Sequence, residues 1–82
     1  MRDRRAAERR LMIARGEVLA GGPAGRVPCA VLDLSARGAR VRLPRAAELP
    51  GAVALRLPGG GGLRPAVRRW RRGAEAGFEF AR

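Results

Sequence analysis

Apolar residues in this chain occur in short runs that are separated by glycine, proline and arginine. No run repeats its apolar positions at three- and four-residue intervals for long enough to predict an amphipathic helix. Short apolar runs with Gly and Pro between them are typical of β-strands. The pattern predicts six strands, at approximately residues 11–19, 26–34, 39–43, 52–57, 63–71 and 75–80.

The alternation within these strands predicts which residues face the core. Residues 39–43 alternate most regularly, with apolar side chains inward and two arginines outward. Pro28 lacks a backbone N–H, so it indicates an edge or a bulge in the second strand. Val67 and Trp70 of the fifth strand differ in parity, which predicts a bulge or a twist between them.

Turns recur about every ten residues, a spacing typical of a small antiparallel barrel or sandwich. The glycines at 59–62 predict a hairpin tip and not a phosphate-binding loop, because neither a Lys-Ser/Thr pair nor a helix follows them. A barrel suits 82 residues better, since closure leaves fewer exposed edges. We therefore predict an all-β fold: a six-stranded antiparallel β-barrel at 11–82, preceded by a flexible basic tail at 1–10 that could form a helical turn.

The composition predicts an anionic partner. The formal net charge is +11, and all 18 basic residues are arginine. Such an excess favours nucleic acid, a nucleotide or a lipid head group as the partner. A GC-rich genome also enriches arginine, so the charge alone does not identify the ligand.

The residue inventory argues against an enzyme. The chain has no His or Lys to serve as a base for Ser35 or Cys29, and its seven acidic residues are scattered. Cys29 is the only cysteine, which excludes an intrachain disulfide and predicts a buried, inert thiol. We expect no metal and no cofactor. No apolar stretch approaches the ~18 residues of a membrane span, and no secretory signal precedes the strands, so the expected location is cytoplasmic.

The candidate binding residues form two groups. The first is the corner Asp33-Leu34-Ser35-Ala36-Arg37-Gly38, which contains the only hydroxyl side chain of the chain. Asp33 can accept from guanine N1–H and its exocyclic amine, and Ser35 can donate to an oxygen. Gly38 can take a positive φ and let backbone N–H groups approach the ligand closely. A plain Asx or Ser turn at a strand end would also explain this hexapeptide.

The second group is the arginine pair Arg5 and Arg9 in the tail, whose members share one face if the tail is helical. Guanidinium groups make bidentate bonds to phosphate and to guanine O6 and N7. The pair could equally be a solvated charged segment, because an Arg-x-x-x-Arg spacing is common in so arginine-rich a chain.

The order of these parts resembles the PilZ domain, a bacterial receptor module for cyclic di-GMP. That family places Arg-x-x-x-Arg before Asp/Asn-x-Ser-x-x-Gly, as Arg5/Arg9 stand before the hexapeptide here. The resemblance continues at residues 38–44, 67–70 and 77–80, and so covers essentially the whole chain. It implies a six-stranded antiparallel barrel, in agreement with the strand pattern.

The resemblance also implies a role for each matching residue. Arg5 and Arg9 would wrap over cyclic di-GMP, while Asp33 and Ser35 hold a guanine and Gly38 shapes the corner. Arg4 matches relatives that bind a stacked ligand dimer. The expected function is a cyclic di-GMP receptor that orders its tail on binding and signals to a downstream protein. The alternatives are a basic barrel that binds RNA or DNA, and a PilZ-like domain that binds protein only.

Overall fold

The computed structural model describes residues 10–21, 25–44 and 47–81. They form six strands: β1 (Arg10–Gly21), β2 (Gly25–Leu34), β3 (Gly38–Arg42), β4 (Ala52–Arg56), β5 (Leu63–Arg72) and β6 (Glu75–Phe80). All pairings are antiparallel, and the strands close into a barrel in the order β1-β2-β3-β6-β5-β4. The predicted fold class, strand number and closure are confirmed. The described residues include no helix long and apolar enough to cross a membrane.

The core fills the inside of the barrel with aliphatic side chains from all six strands and two phenylalanines from β6. Val18, Val31, Val41 and Leu55 are the largest fully buried side chains. The predicted alternation of β3 is confirmed, because its apolar side chains are buried while Arg40 and Arg42 face outward. Small aliphatic residues suffice here because the interior of a six-stranded barrel is narrow.

The barrel closes where β1 pairs with β4 through Glu17–Leu19 and Ala54–Arg56. On the outer side of this seam, Arg56 Nε donates to Glu17 Oε1 at 3.1 Å. Pro28 pairs with Glu17 in a part of β2 that lies beyond the residues paired with β3. The missing N–H of the proline therefore removes no bond to β3, and the predicted edge is confirmed.

Cys29 lies on the inner side of β2 and is 9% exposed. Burial raises the pKa of its thiol to about 11, and the negative charge of Glu17 makes a smaller contribution in the same direction. The thiol is therefore protonated near neutral pH, whereas the reactive form of cysteine is the thiolate.

Candidate functional site

An open cavity of about 460 Å³ lies on the outer surface of the barrel, between the β2–β3 corner and strands β6 and β5. Its lining includes three of the residues predicted from sequence: Asp33, Ser35 and Gly38. A second, more apolar cavity of about 850 Å³ lies beside β1 and β2 and is lined by none of the predicted site residues. The first cavity is therefore the candidate site.

The base of this cavity is a row of directly paired residues on four neighbouring strands. Asp33 on β2 is opposite Arg40 on β3, Arg40 is opposite Gly77 on β6, and Gly77 is opposite Trp70 on β5. Paired residues project from the same face of a sheet. With ~4.8 Å between strands, the row extends roughly 14 Å from the carboxylate strand to the indole strand.

A β-bulge in β2 directs Asp33 outward. Val31 is opposite Val41, and both side chains are buried in the core. Strict alternation would then place Asp33, two residues later, in the core as well. The register shift after Val31 instead places Asp33 opposite the outward-facing Arg40. One extra residue in β2 thus turns a carboxylate from the interior to the cavity, a common use of bulges beside functional sites.

A second bulge, in β5, acts in the same way on Trp70. Arg68 is opposite the buried Phe78, but the register then shifts so that Trp70 is opposite Gly77. This bulge confirms the one predicted from the parity of Val67 and Trp70. The indole lies over Gly77, where an added Cβ would collide with the ring, and it remains 40% exposed. The cavity therefore has an aromatic wall on its β5 side.

A chain of ion pairs holds the carboxylate of Asp33. Asp33 is almost fully buried, at 4% exposure, and its Oδ2 accepts from Arg40 Nε at 2.9 Å. Arg40 also donates to Glu75 at 3.0 Å, and Glu75 accepts from Arg42 at 3.1 Å. The pKa of Glu75 is lowered, mainly by the hydrogen bond from Arg42. The pKa of Arg40 is raised, mainly by its hydrogen bond to Asp33. Alternating charges thus fix the orientation of Asp33.

The β2–β3 corner is closed by three hydrogen bonds. The backbone N–H of Ser35 donates to the carbonyl of Gly38 at 2.9 Å, and the N–H of Arg37 donates to Ser35 Oγ at 3.2 Å. The N–H of Phe80 donates to the carbonyl of Arg37 at 2.8 Å. The Ser turn considered from sequence is therefore present. Because Ser35 Oγ accepts in this turn, its own O–H is free to donate into the cavity.

Gly38 is needed for a different reason from the one predicted. The positive φ expected for Gly38 is wrong: among the described residues, that conformation occurs at Gly21, Gly25, Gly59, Gly60, Gly62 and Gly73. At Gly38, a Cβ would instead collide with the backbone carbonyl of Phe78, because β3 and β6 approach closely there. The glycine permits close packing of the corner against β6.

Four residues of the cavity were not predicted from sequence to belong to the site: Arg37, Arg40, Trp70 and Gly77. The alternation of β3 placed Arg40 on the outer face, and parity marked Trp70 as irregular. Neither signal shows that both residues share a row with Asp33, because that depends on β6 lying between β3 and β5. Arg4, Arg5 and Arg9 lie outside the described residues, so their predicted roles stay predictions.

We predict that Gly77→Ala moves the indole of Trp70 away from β6. The added methyl group occupies the space under the ring, so the ring becomes more exposed to water. Trp70 is the only tryptophan, so its fluorescence emission should shift to longer wavelength and be quenched more readily by acrylamide. Gly61→Ala is the control, since its Cβ would meet open space. Unchanged emission and quenching in Gly77→Ala would contradict this packing.

The described residues thus form a closed antiparallel barrel with a polar and aromatic cavity on its outer surface. The family model for the PilZ domain matches residues 3–82. The chain therefore belongs to the PilZ domain family, a family of cyclic di-GMP receptor modules, and the resemblance seen in its sequence is confirmed. A comparison with curated proteins gives no match.

Proposed function

We propose that this protein is a receptor for cyclic di-GMP and that one guanine of the ligand binds in the outer cavity. The observation that carries the proposal is the meeting of Asp33, Ser35 and Trp70 at one cavity. A carboxylate, a hydroxyl donor and an aromatic face are complementary to the edge, the oxygen and the plane of a guanine.

The carboxylate supplies the discrimination between bases. Asp33 accepts from guanine N1–H and the exocyclic amine, two donors that adenine lacks at the corresponding positions. Hydrogen bonds to a charged group contribute about 1.5–3 kcal/mol each. Arg40 supports this role, because it holds the carboxylate in place through Nε while Glu75 holds Arg40.

The arginines of the N-terminal segment contact the phosphates in this proposal. Arg5 and Arg9 fall within the residues that match the family model. The two negative charges of the ligand would attract this segment to the barrel and order it there. Arg4 would add a contact if the ligand binds as a stacked dimer. The ordered segment and the ligand would together form a new surface for a downstream protein.

Isothermal titration calorimetry with the full chain tests the proposal. We expect saturable binding of cyclic di-GMP, and binding of cyclic di-AMP that is at least about 100-fold weaker because adenine lacks the N1–H and exocyclic-amine donors that Asp33 accepts from in guanine. Arg9→Ala should weaken cyclic di-GMP binding about tenfold by removing a charge-assisted contact. Arg2→Ala makes the same change in charge in the same segment and should leave affinity within about twofold.

Two results would favour the alternatives. Binding of single-stranded RNA that falls steeply with salt and does not depend on Asp33 would indicate a nucleic-acid-binding barrel. The exposed arginines of β5 favour that alternative, but stacking of successive bases needs several aromatic residues, and Trp70 is the only exposed one described. A chain that binds neither nucleotide nor RNA would indicate a domain that binds protein only.

A further inference from the structure

Arg37 is an exposed arginine that lines the candidate cavity. It occupies one of the unspecified positions of the Asp-x-Ser-x-x-Gly hexapeptide. Its backbone is held on both sides, because its N–H donates to Ser35 Oγ at 3.2 Å and its carbonyl accepts from Phe80 at 2.8 Å. The backbone from which the Arg37 side chain extends is therefore fixed at the cavity.

The other charged side chains that line this cavity are already paired. Asp33 accepts from Arg40, Arg40 also donates to Glu75 outside the lining, and Glu79 accepts from Arg69 Nε at 2.6 Å. The guanidinium of Arg37, by contrast, has no hydrogen bond or ion pair within residues 10–21, 25–44 and 47–81. Arg37 thus provides an uncompensated positive charge at the rim.

We propose that Arg37 binds a phosphate group of the nucleotide from the barrel side. This inference rests on the proposed function and adds a contact that does not depend on the N-terminal segment. A guanidinium group at the cavity is complementary to a phosphate, which presents several acceptor oxygens. Guanine O6 and N7 also accept from guanidinium groups, but they carry no formal charge, so a phosphate is the stronger partner for Arg37.

One consequence distinguishes this arrangement from a site whose phosphate contacts all come from the tail. The positive charge around the ligand then has two independent sources, the segment with Arg5 and Arg9 and the corner with Arg37. Removing one source leaves the other in place. The factor by which affinity falls when both sources are removed should therefore be the product of the two single factors, as expected for contacts that share no partner side chain.

The test is a calorimetric titration of cyclic di-GMP into the Arg37→Ala variant, with Arg15→Ala as the matched control. Arg15 is also exposed, has no side-chain hydrogen bond or ion pair among the described residues, and lines the other cavity. Both variants lower the formal net charge from +11 to +10. We expect about tenfold weaker binding for Arg37→Ala and less than about twofold for Arg15→Ala.

Further variants refine the result. Arg37→Lys should recover part of the affinity, because it restores the charge without the bidentate geometry. Arg37→Ala combined with Arg9→Ala should lose affinity by about the product of the two single changes. Circular dichroism melting should match the wild type, since the exposed guanidinium has no hydrogen bond or ion pair among the described residues.

The outcomes separate the inference from the function on which it rests. If the wild type binds cyclic di-GMP and Arg37→Ala binds as tightly as Arg15→Ala, the phosphate contact is overturned and the receptor function stands. If the wild type does not bind cyclic di-GMP, the receptor function fails and the inference fails with it. The inference would also be overturned if the variant with both Arg37→Ala and Arg9→Ala bound cyclic di-GMP as tightly as Arg9→Ala alone.

Discussion

Asp33→Ala should weaken the binding of cyclic di-GMP by at least about 100-fold while leaving the barrel folded. The loss is large because the variant removes the acceptor for two guanine donors, each worth about 1.5–3 kcal/mol when the acceptor is charged. The barrel should survive because Arg40 remains paired with Glu75 and is itself half-exposed, so no buried charge is stranded. Calorimetry measures the affinity, and circular dichroism melting confirms the fold.

Glu17→Ala is the matched control for this variant. Glu17 is also a carboxylate that pairs with arginine on the outer surface, but it lies on β1, away from the cavity. Both substitutions raise the formal net charge from +11 to +12. Asp33→Asn should retain more affinity than Asp33→Ala, since an amide oxygen still accepts one bond. Equal affinities for Asp33→Ala and Glu17→Ala would exclude Asp33 from the site.

The features of the fold that depend on neighbouring residues in sequence were predictable. The strand bounds follow from apolar runs and from the glycines and prolines that end them. β6 (Glu75–Phe80) was predicted at its observed bounds, and β3 alternates as its sequence indicates. The β2–β3 corner was likewise located, because an Asp, a Ser and a Gly at a strand end favour a turn whose hydrogen bonds are local.

The orientation of Asp33 was not predictable in this way. Along β2, Cys29, Val31 and Asp33 share one parity, and alternation alone places all three in the core. The bulge that turns Asp33 outward depends on where β3 and β2 pair, which a local pattern does not specify. As a result Asp33 is only 4% exposed and is paired with Arg40, and neither property follows from the residues next to Asp33.

The bulge at Trp70 was predictable from sequence, but the place of Trp70 in the site was not. Its parity relative to Val67 predicted the bulge in β5 correctly. Its place in a row with Asp33 and Gly77 required the strand order, because two strands lie between β5 and β2. A residue that belongs to a site through three successive strand pairings can be recognised only once the barrel is closed in the correct order.

Gly38→Ala should destabilise the barrel by about 1–3 kcal/mol, a typical cost of forcing extra volume into a packed region. The added Cβ would collide with the carbonyl of Phe78, so β3 must move away from β6 and weaken the pairing of Gly38 with Glu79. A domain of this size has only ~3–5 kcal/mol of net stability, so a large part of it is lost. Urea unfolding followed by Trp70 fluorescence gives the free energy of unfolding directly.

The control for this variant is Gly61→Ala, which adds the same methyl group in the β4–β5 connection. Its Cβ meets open space and its φ is not in the positive region, so the substitution should leave stability unchanged or raise it by up to ~1 kcal/mol through the unfolded state. Equal unfolding free energies for the two variants would show that β3 and β6 have room for a side chain at Gly38. A lower unfolding free energy for Gly38→Ala than for Gly61→Ala would show that strand packing requires a glycine at the last position of the hexapeptide. Replacing Gly38 should then also disturb Ser35 and Arg37, because hydrogen bonds join these residues in the same corner.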